Sequence, residues 1–142
     1  MAALTLEQAQ KIVSGALRHA REKQFQPLAV VVLDERGVLK AFAAEDGTSL
    51  RREEIARGKA HGALAFGLGS RALAKRAQEQ PSFIAAVTHA VGGYLVPVPG
   101  GVLIRSGGAV IGAVGISGDR SDNDEACAVV GIEAAGLVAD PG

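Results

Sequence analysis

Apolar positions near the start of the chain recur at a helical spacing. Ala9, Ile12, Val13, Ala16, Leu17 and Ala20 fall on one side, with Lys11, Arg18, Arg21 and Glu22 on the other, so the pattern predicts an amphipathic helix ending near Lys23. Ahead of it, Thr5-Leu6-Glu7-Gln8 has the form of a capping box, in which the Thr5 hydroxyl takes the Gln8 N–H and Gln8 reaches back. After Pro27 the period changes. Residues 28–33, LAVVVL, are a continuous apolar run of strand length, the mark of a strand covered on both faces. Asp34-Glu35-Arg36-Gly37 supplies a turn and residues 38–43 return as the second arm of a hairpin.

The middle of the chain reads as helices. Thr48 or Ser49 is placed to cap a helix over residues 50–66. Its opening is crowded with Arg51, Arg52, Glu53, Glu54 and Arg57, and beyond these Ala56, Ala60, Ala63 and Gly67 form a narrow stripe of small residues. Ser70 is a candidate N-cap for the next helix and Pro81 its stop; Ser82 then opens a short helix over 83–91, broken by Gly92-Gly93. Residues 94–98 are extended, with prolines suited to an edge strand or loop. A second hairpin pairs 102–105 with 109–117 around Ser106-Gly107-Gly108. In its long arm Ile111, Ala113, Gly115 and Ser117 share a face that has almost no side chain toward its end, so a helix, or else a ligand, must come close there. Ser121-Asp122-Asn123-Asp124 resembles another capping box, opening a helix with Ala126, Val129, Val130 and Ile132 on its apolar side. Helix, two strands, helices, three strands and a helix make an α+β fold, an antiparallel sheet with helices against it, expected to be one domain over residues 1–142.

Composition narrows the class. Lys plus Arg and Asp plus Glu balance at 15 each, and aromatic residues make up 4%, which argues against a nucleic-acid partner or an anionic membrane. The single cysteine, Cys127, precludes an intrachain disulfide, and the N-terminus has no secretory pattern, so the expected home is the cytoplasm. No metal site is expected: His19, His61, His89 and Cys127 are far apart and no zinc spacing occurs. Gly67-Leu68-Gly69-Ser70-Arg71-Ala72 matches a dinucleotide fingerprint in letters but lacks the preceding strand. Cys127, among alanines and valines, reads as a buried, inert thiol.

Two groups stand out chemically. Lys59 lies within the small-residue stripe, and its helical neighbours Ile55, Ala56, Gly62 and Ala63 include no acid. A tertiary acid or a ligand must meet its ammonium, unless it snorkels to water. His89 lies just before the glycine pair, where a histidine also favours a helix C-terminus.

The segments GGVLIRSGGAVIGAVGISG (100–118), SDNDEACA (121–128), LAVVVLDERGVLKAFAAEDG (28–47) and IARGKA (55–60) together resemble the GlcG/HbpS family, related to the C-terminal domain of PduO proteins. The matching positions include Asp34, Asp46, Gly47, Lys59, Gly100, Gly101, Gly115, Ser117, Gly118 and Glu125. The resemblance implies a profilin-like fold with a five-stranded antiparallel sheet flanked by helices, and a homo-oligomer: dimer, tetramer or octamer. It also implies a small-molecule ligand, with haem or another tetrapyrrole foremost. On that reading Arg51, Arg52, Lys59, His61, His89, Gly100, Gly101 and Ser117 are the candidate ligand-binding residues. His89, His61 or His19 would ligate iron, and Arg51 or Arg52 would meet the propionates. Some family members belong to catabolic operons. The alternative is a cofactor-independent dehydratase, isomerase or decarboxylase acting on a small organic acid, with Lys59 binding the carboxylate or moving a proton and His89 as general base. A ligand-sensing or assembly module without chemistry is the third reading.

Overall fold

A computed structural model describes residues 3–142; residues 1 and 2 of the expected domain lie outside it. The chain runs α1 (Leu6–Glu22), β1 (Ala29–Asp34), β2 (Leu39–Ala44), α2 (Arg52–Phe66), α3 (Ser70–Glu79), α4 (Pro81–Ala90), β3 (Gly101–Ser106), β4 (Ala109–Ser117), α5 (Ser121–Ala134) and β5 (Val138–Asp140). The strands form one open sheet in the order β2-β1-β4-β3-β5, every neighbouring pair antiparallel. The α+β architecture expected from the pattern is what forms.

Strand alternation divides the core between the two faces. Val30, Val32, Val102, Ile104, Val114 and Ile116 pack against Ile12 and Ala16 of α1 and Cys127, Ala128 and Ile132 of α5. Ala29, Val31, Leu33, Leu103 and Ala113 meet Ala56, Ala60 and Ala63 of α2. β1 is buried along its whole length, as its unbroken apolar run requires. The neighbour of the bare face of β4 is a helix: a Cβ on Gly115 would run into the Ala56 carbonyl oxygen, and one on Gly101 into that of Lys59. The backbone of α2 therefore lies directly on β4 and β3. Among the described residues no helix is long and apolar enough to cross a membrane.

Several local expectations are revised. Residues 94–98 do not join the sheet. The Val96 N–H donates instead to the Gly58 carbonyl of α2 at 3.2 Å, and Pro97 and Pro99 have no N–H for a ladder. The fifth strand is β5, three residues that pair with β3 and add an Arg105–Asp140 ion pair at 2.9 Å. Ile111 leaves the α2 face for the α1/α5 core, because the β3–β4 register steps from Ile104↔Gly112 to Arg105↔Val110 and the bulge turns it over.

Helix starts also shift. Thr5 caps α1 with the full reciprocal box, but α2 begins after Arg51, α3 after Gly69 and α5 after Arg120, none with a side-chain cap. Pro81 is the first residue of α4 rather than the end of α3, its missing N–H costing nothing there. The buried side of α5 is Asp124, Cys127, Ala128, Gly131 and Ile132, so Ala126 and Val130 are turned partly outward.

Candidate functional site

Lys59 is buried to 2% exposure. Its ammonium donates to the Ile116 carbonyl oxygen at 2.8 Å and to Asp124 Oδ2 at 3.2 Å. Asp124, itself 1% exposed, accepts the Asp119 N–H on its other oxygen at 3.0 Å. The acid that Lys59 needs is thus supplied by α5, across the end of β4. Burial pulls the Lys59 pKa below its usual value against the opposing effect of Asp124, and burial pushes Asp124 above the usual carboxylate value against that of Lys59. Desolvation is costly for both groups, and their attraction offsets that only in part.

Around this pair the structure gathers Arg52, Ser117, Gly100 and Gly101 from the expected set. Arg52 donates to the buried Ser117 hydroxyl at 3.1 Å and to Ser49 at 3.2 Å. Gly100 abuts the lysine so closely that a Cβ there would sit 2.8 Å from Nζ. The Gly101 N–H donates to the buried Ser70 hydroxyl at 2.7 Å. Asp119 binds the Gln26 N–H at 2.6 Å and Asn123 at 2.8 Å, which hold its carboxyl below the usual range. Every partner here is a protein group, and the buried side-chain polar atoms described are all satisfied. This is a closed junction of α2, β4 and α5.

His61 lies in a different setting, half-buried on the outer side of α2. Its Nδ1 is 3.1 Å from the Tyr94 carbonyl oxygen; a carbonyl only accepts, so Nδ1 carries a proton, and in the neutral ring Nε2 keeps its lone pair. The Tyr94 ring leans on the imidazole with centroids 5.5 Å apart. Across from it is the β1–β2 turn, where a methyl on Gly37 would lie 3.6 Å from Cδ2 and 4.0 Å from Nε2. The segment carrying Tyr94 can reach this place because α2 has Gly58 and Gly62 under it. A Cβ on these would meet Val96 Cγ2 at 2.6 Å and Leu95 Cδ1 at 2.5 Å.

Beside His61 the sheet is open. Leu39 pairs with Leu33 and Phe42 with Val31, residues of the α2 side, so Leu39 and Phe42 face that way too. Yet α2 covers β1, β4 and β3, and Leu39 and Phe42 are each 42% exposed, with Val38 at 48% and Tyr94 at 50%. An apolar flank therefore adjoins a histidine with a free ring nitrogen.

The remaining candidates lie elsewhere. Arg51 is exposed and pairs with Glu54 at 2.7 Å. His89 is exposed in the last turn of α4. His19 is edge-on to Phe25 at 6.1 Å. Cys127 is buried, and burial together with the nearby Asp124 raises its thiol to about 12. Among the described residues no three His, Cys, Asp or Glu side chains come together as metal ligands. Asp124 does not stand out in the sequence, where it has the form of a capping acid. The stripe Asp124, Cys127, Ala128, Gly131, Ile132 at helical spacing is the signal of its burial.

Residues 4–133 match the profile of the family described as "Haem degrading protein HbpS-like". The chain belongs to the HbpS-like family. Among solved structures, PduOC in its haem complex is 25% identical with a TM-score of 0.86, over 96% of this chain and 97% of that one. HbpS is 28% identical with a TM-score of 0.80, over 94% and 90%. The Klebsiella pneumoniae protein ORFY, at 21% identity and a TM-score of 0.87 over 96% and 93%, shares the fold. No curated protein sequence matches the chain. This HbpS-like chain thus has a relative of full-length similarity whose structure is a haem complex.

Proposed function

We propose that this HbpS-like protein binds haem, or a closely related tetrapyrrole, on the open flank of β2, where His61 would hold the iron. The observation that carries the reading is His61 itself. Its Nδ1–H is held by a backbone carbonyl, the outer-shell contact that fixes the ring and leaves Nε2 for a metal. His89 lacks such a partner and His19 has only an aromatic edge.

The surroundings fit the group. Leu39 and Phe42 offer an apolar surface to a macrocycle, and Tyr94 packs beside the ligand histidine. One turn before His61 on the same helix face, Arg57 now holds Glu53 at 2.8 Å and is a guanidinium within reach of a propionate. Arg51, paired with Glu54, and Arg52, bonded to Ser117, are the other guanidiniums near the start of this helix. Beside Arg57 and Tyr94 lies an open depression of about 450 Å³, lined also by Glu53, Glu54, Gly92 and Gly93. Bound haem would supply an iron centre for redox or oxygen chemistry; the chain's part is to orient the imidazole and to offer the apolar seat.

The acid-substrate alternative rests on Lys59 and His89 acting together. One is enclosed among protein partners and the other exposed at the end of α4, which favours the haem reading.

Haem titration followed at the Soret band tests it. The expected result is saturable binding of one haem per chain, weakened about tenfold or more by His61→Ala and unchanged by His89→Ala. Unsaturable binding, or binding indifferent to His61→Ala, would refute the assignment.

A further inference from the structure

On the helix side, the contact of α2 with the sheet is made largely by small residues. Ala56, Ala60 and Ala63 present only methyl groups, to Val31, Leu33, Leu103 and Ala113 and to the bare backbone of Gly115 and Gly101. Such a contact is tight but has few knobs to stop a helix from sliding or turning. Directional bonds must set its position, and on the buried side of α2 they come from Lys59 to the Ile116 carbonyl and Asp124, with Arg52 to Ser117 at the helix start.

We infer that the Lys59–Asp124 pair acts as a positioning device for His61: it fixes the axial and rotational setting of α2 on the sheet and so holds the His61 ring between the Tyr94 carbonyl and the β1–β2 turn. Three observations connect the two places. Lys59 and His61 are two residues apart on one helix, so any turn of α2 moves both. Lys59 Nζ lies against Gly100, where the segment carrying Tyr94 enters the sheet and the Gly100 carbonyl accepts the Ile116 N–H at 3.0 Å. The same segment is docked on α2 by the Val96 N–H to Gly58 bond. It is thus anchored at both ends, on the sheet and on the helix, and the lysine ties one anchor to the other. The inference extends the haem reading by assigning Lys59 an indirect part in it, but its primary test needs no haem.

The test uses Lys59→Met/Asp124→Asn, which removes both charges while keeping an acceptor for the Asp119 N–H. In the wild-type protein without haem, ¹⁵N shifts of the His61 ring should report the Nδ1–H tautomer. In the folded double variant the ring should become a mixture of tautomers, and the Val96 amide should exchange about tenfold faster, while amides of β1 and β4 keep their protection. Where haem binds, its affinity should fall about tenfold or more. If the double variant does not fold, Asp124→Glu, which keeps both charges but displaces the carboxylate, decides, with changes of the same sign and smaller size. A folded variant that keeps the wild-type tautomer and Val96 protection would overturn the inference. Wild-type protein that binds no haem, with a variant that still shows these His61 changes, would overturn the haem reading and leave the positioning role standing.

Discussion

Removing Lys59 alone should harm this protein far more than removing it together with its partner. Lys59→Met puts a side chain of similar length into the same space but leaves Asp124, 1% exposed, with its Oδ2 unmatched. Breaking a buried pair from one side costs about 3–5 kcal/mol, a large share of the roughly 5–15 kcal/mol by which a domain is stable. With 142 residues, an unfolding entropy of about 2.1 cal/mol/K per residue gives about 0.3 kcal/mol/K, so the melting temperature should fall by roughly 10–17 °C. Lys59→Met/Asp124→Asn removes the stranded charge and should recover most of that loss. The pH dependence carries a sign. Burial already raises the Asp124 pKa, and a raised folded-state value contributes stability at low pH that is lost as pH rises through it. Without Lys59 to oppose burial, the value rises further. The deficit of Lys59→Met relative to wild type should therefore be smaller at pH 5 than at pH 8. Thermal and urea unfolding of both variants at the two pH values measures all of this. Equal losses in the single and double variants, or a single-variant loss below about 1 kcal/mol, would refute the claim that the uncompensated buried charge of Asp124 causes most of the damage.

Three further outcomes follow from other parts of the fold. Gly115→Ala drives a methyl into the Ala56 carbonyl and should cost at least the upper part of the about 1–3 kcal/mol typical of overpacking, read by urea unfolding; a neutral result would mean that α2 can lift from β4. Thr5→Ala removes the hydroxyl that accepts the Gln8 N–H at 3.0 Å and should cost about 1 kcal/mol in the same assay. Asp119 has its pKa lowered by the Gln26 N–H and Asn123, so its contribution is present above the unfolded value and lost as pH falls through the folded one. Asp119→Asn should therefore differ from wild type at pH 7 and converge with it as pH falls below the ordinary carboxylate range.

The fold was legible where one periodicity ruled a whole segment. The unbroken run of β1, the helical stripe of α1 and its Thr5–Gln8 box each specify a single answer. Legibility failed where tertiary partners decided. Residues 94–98 have the length and extension of a strand, but their backbone is spoken for by α2, and nothing local says so. β5 is three residues long, too short for any alternation to register, and exists because β3 offers it an edge and Arg105 a partner. The turning over of Ile111 depends on a bulge defined by the neighbouring strand.

The site divides along the same line. Lys59 could be singled out from its own helix, because a lysine in a stripe of alanines and glycines poses a question that the helix cannot answer. The answer, Asp124, lies 65 positions away and has the guise of a helix-start acid. His61 carried no comparable local signal: what distinguishes it from His89 is a backbone carbonyl 33 positions away and a sheet edge that its own helix leaves bare. Both features trace back to the small residues of α2. Its alanines let the helix lie flat on β4, its glycines admit the 94–96 segment that orients the histidine, and its narrow footprint leaves the β2 flank open. The same small side chains that make α2 bland in sequence thus go with both a buried ion pair beneath this helix and an exposed apolar flank beside it.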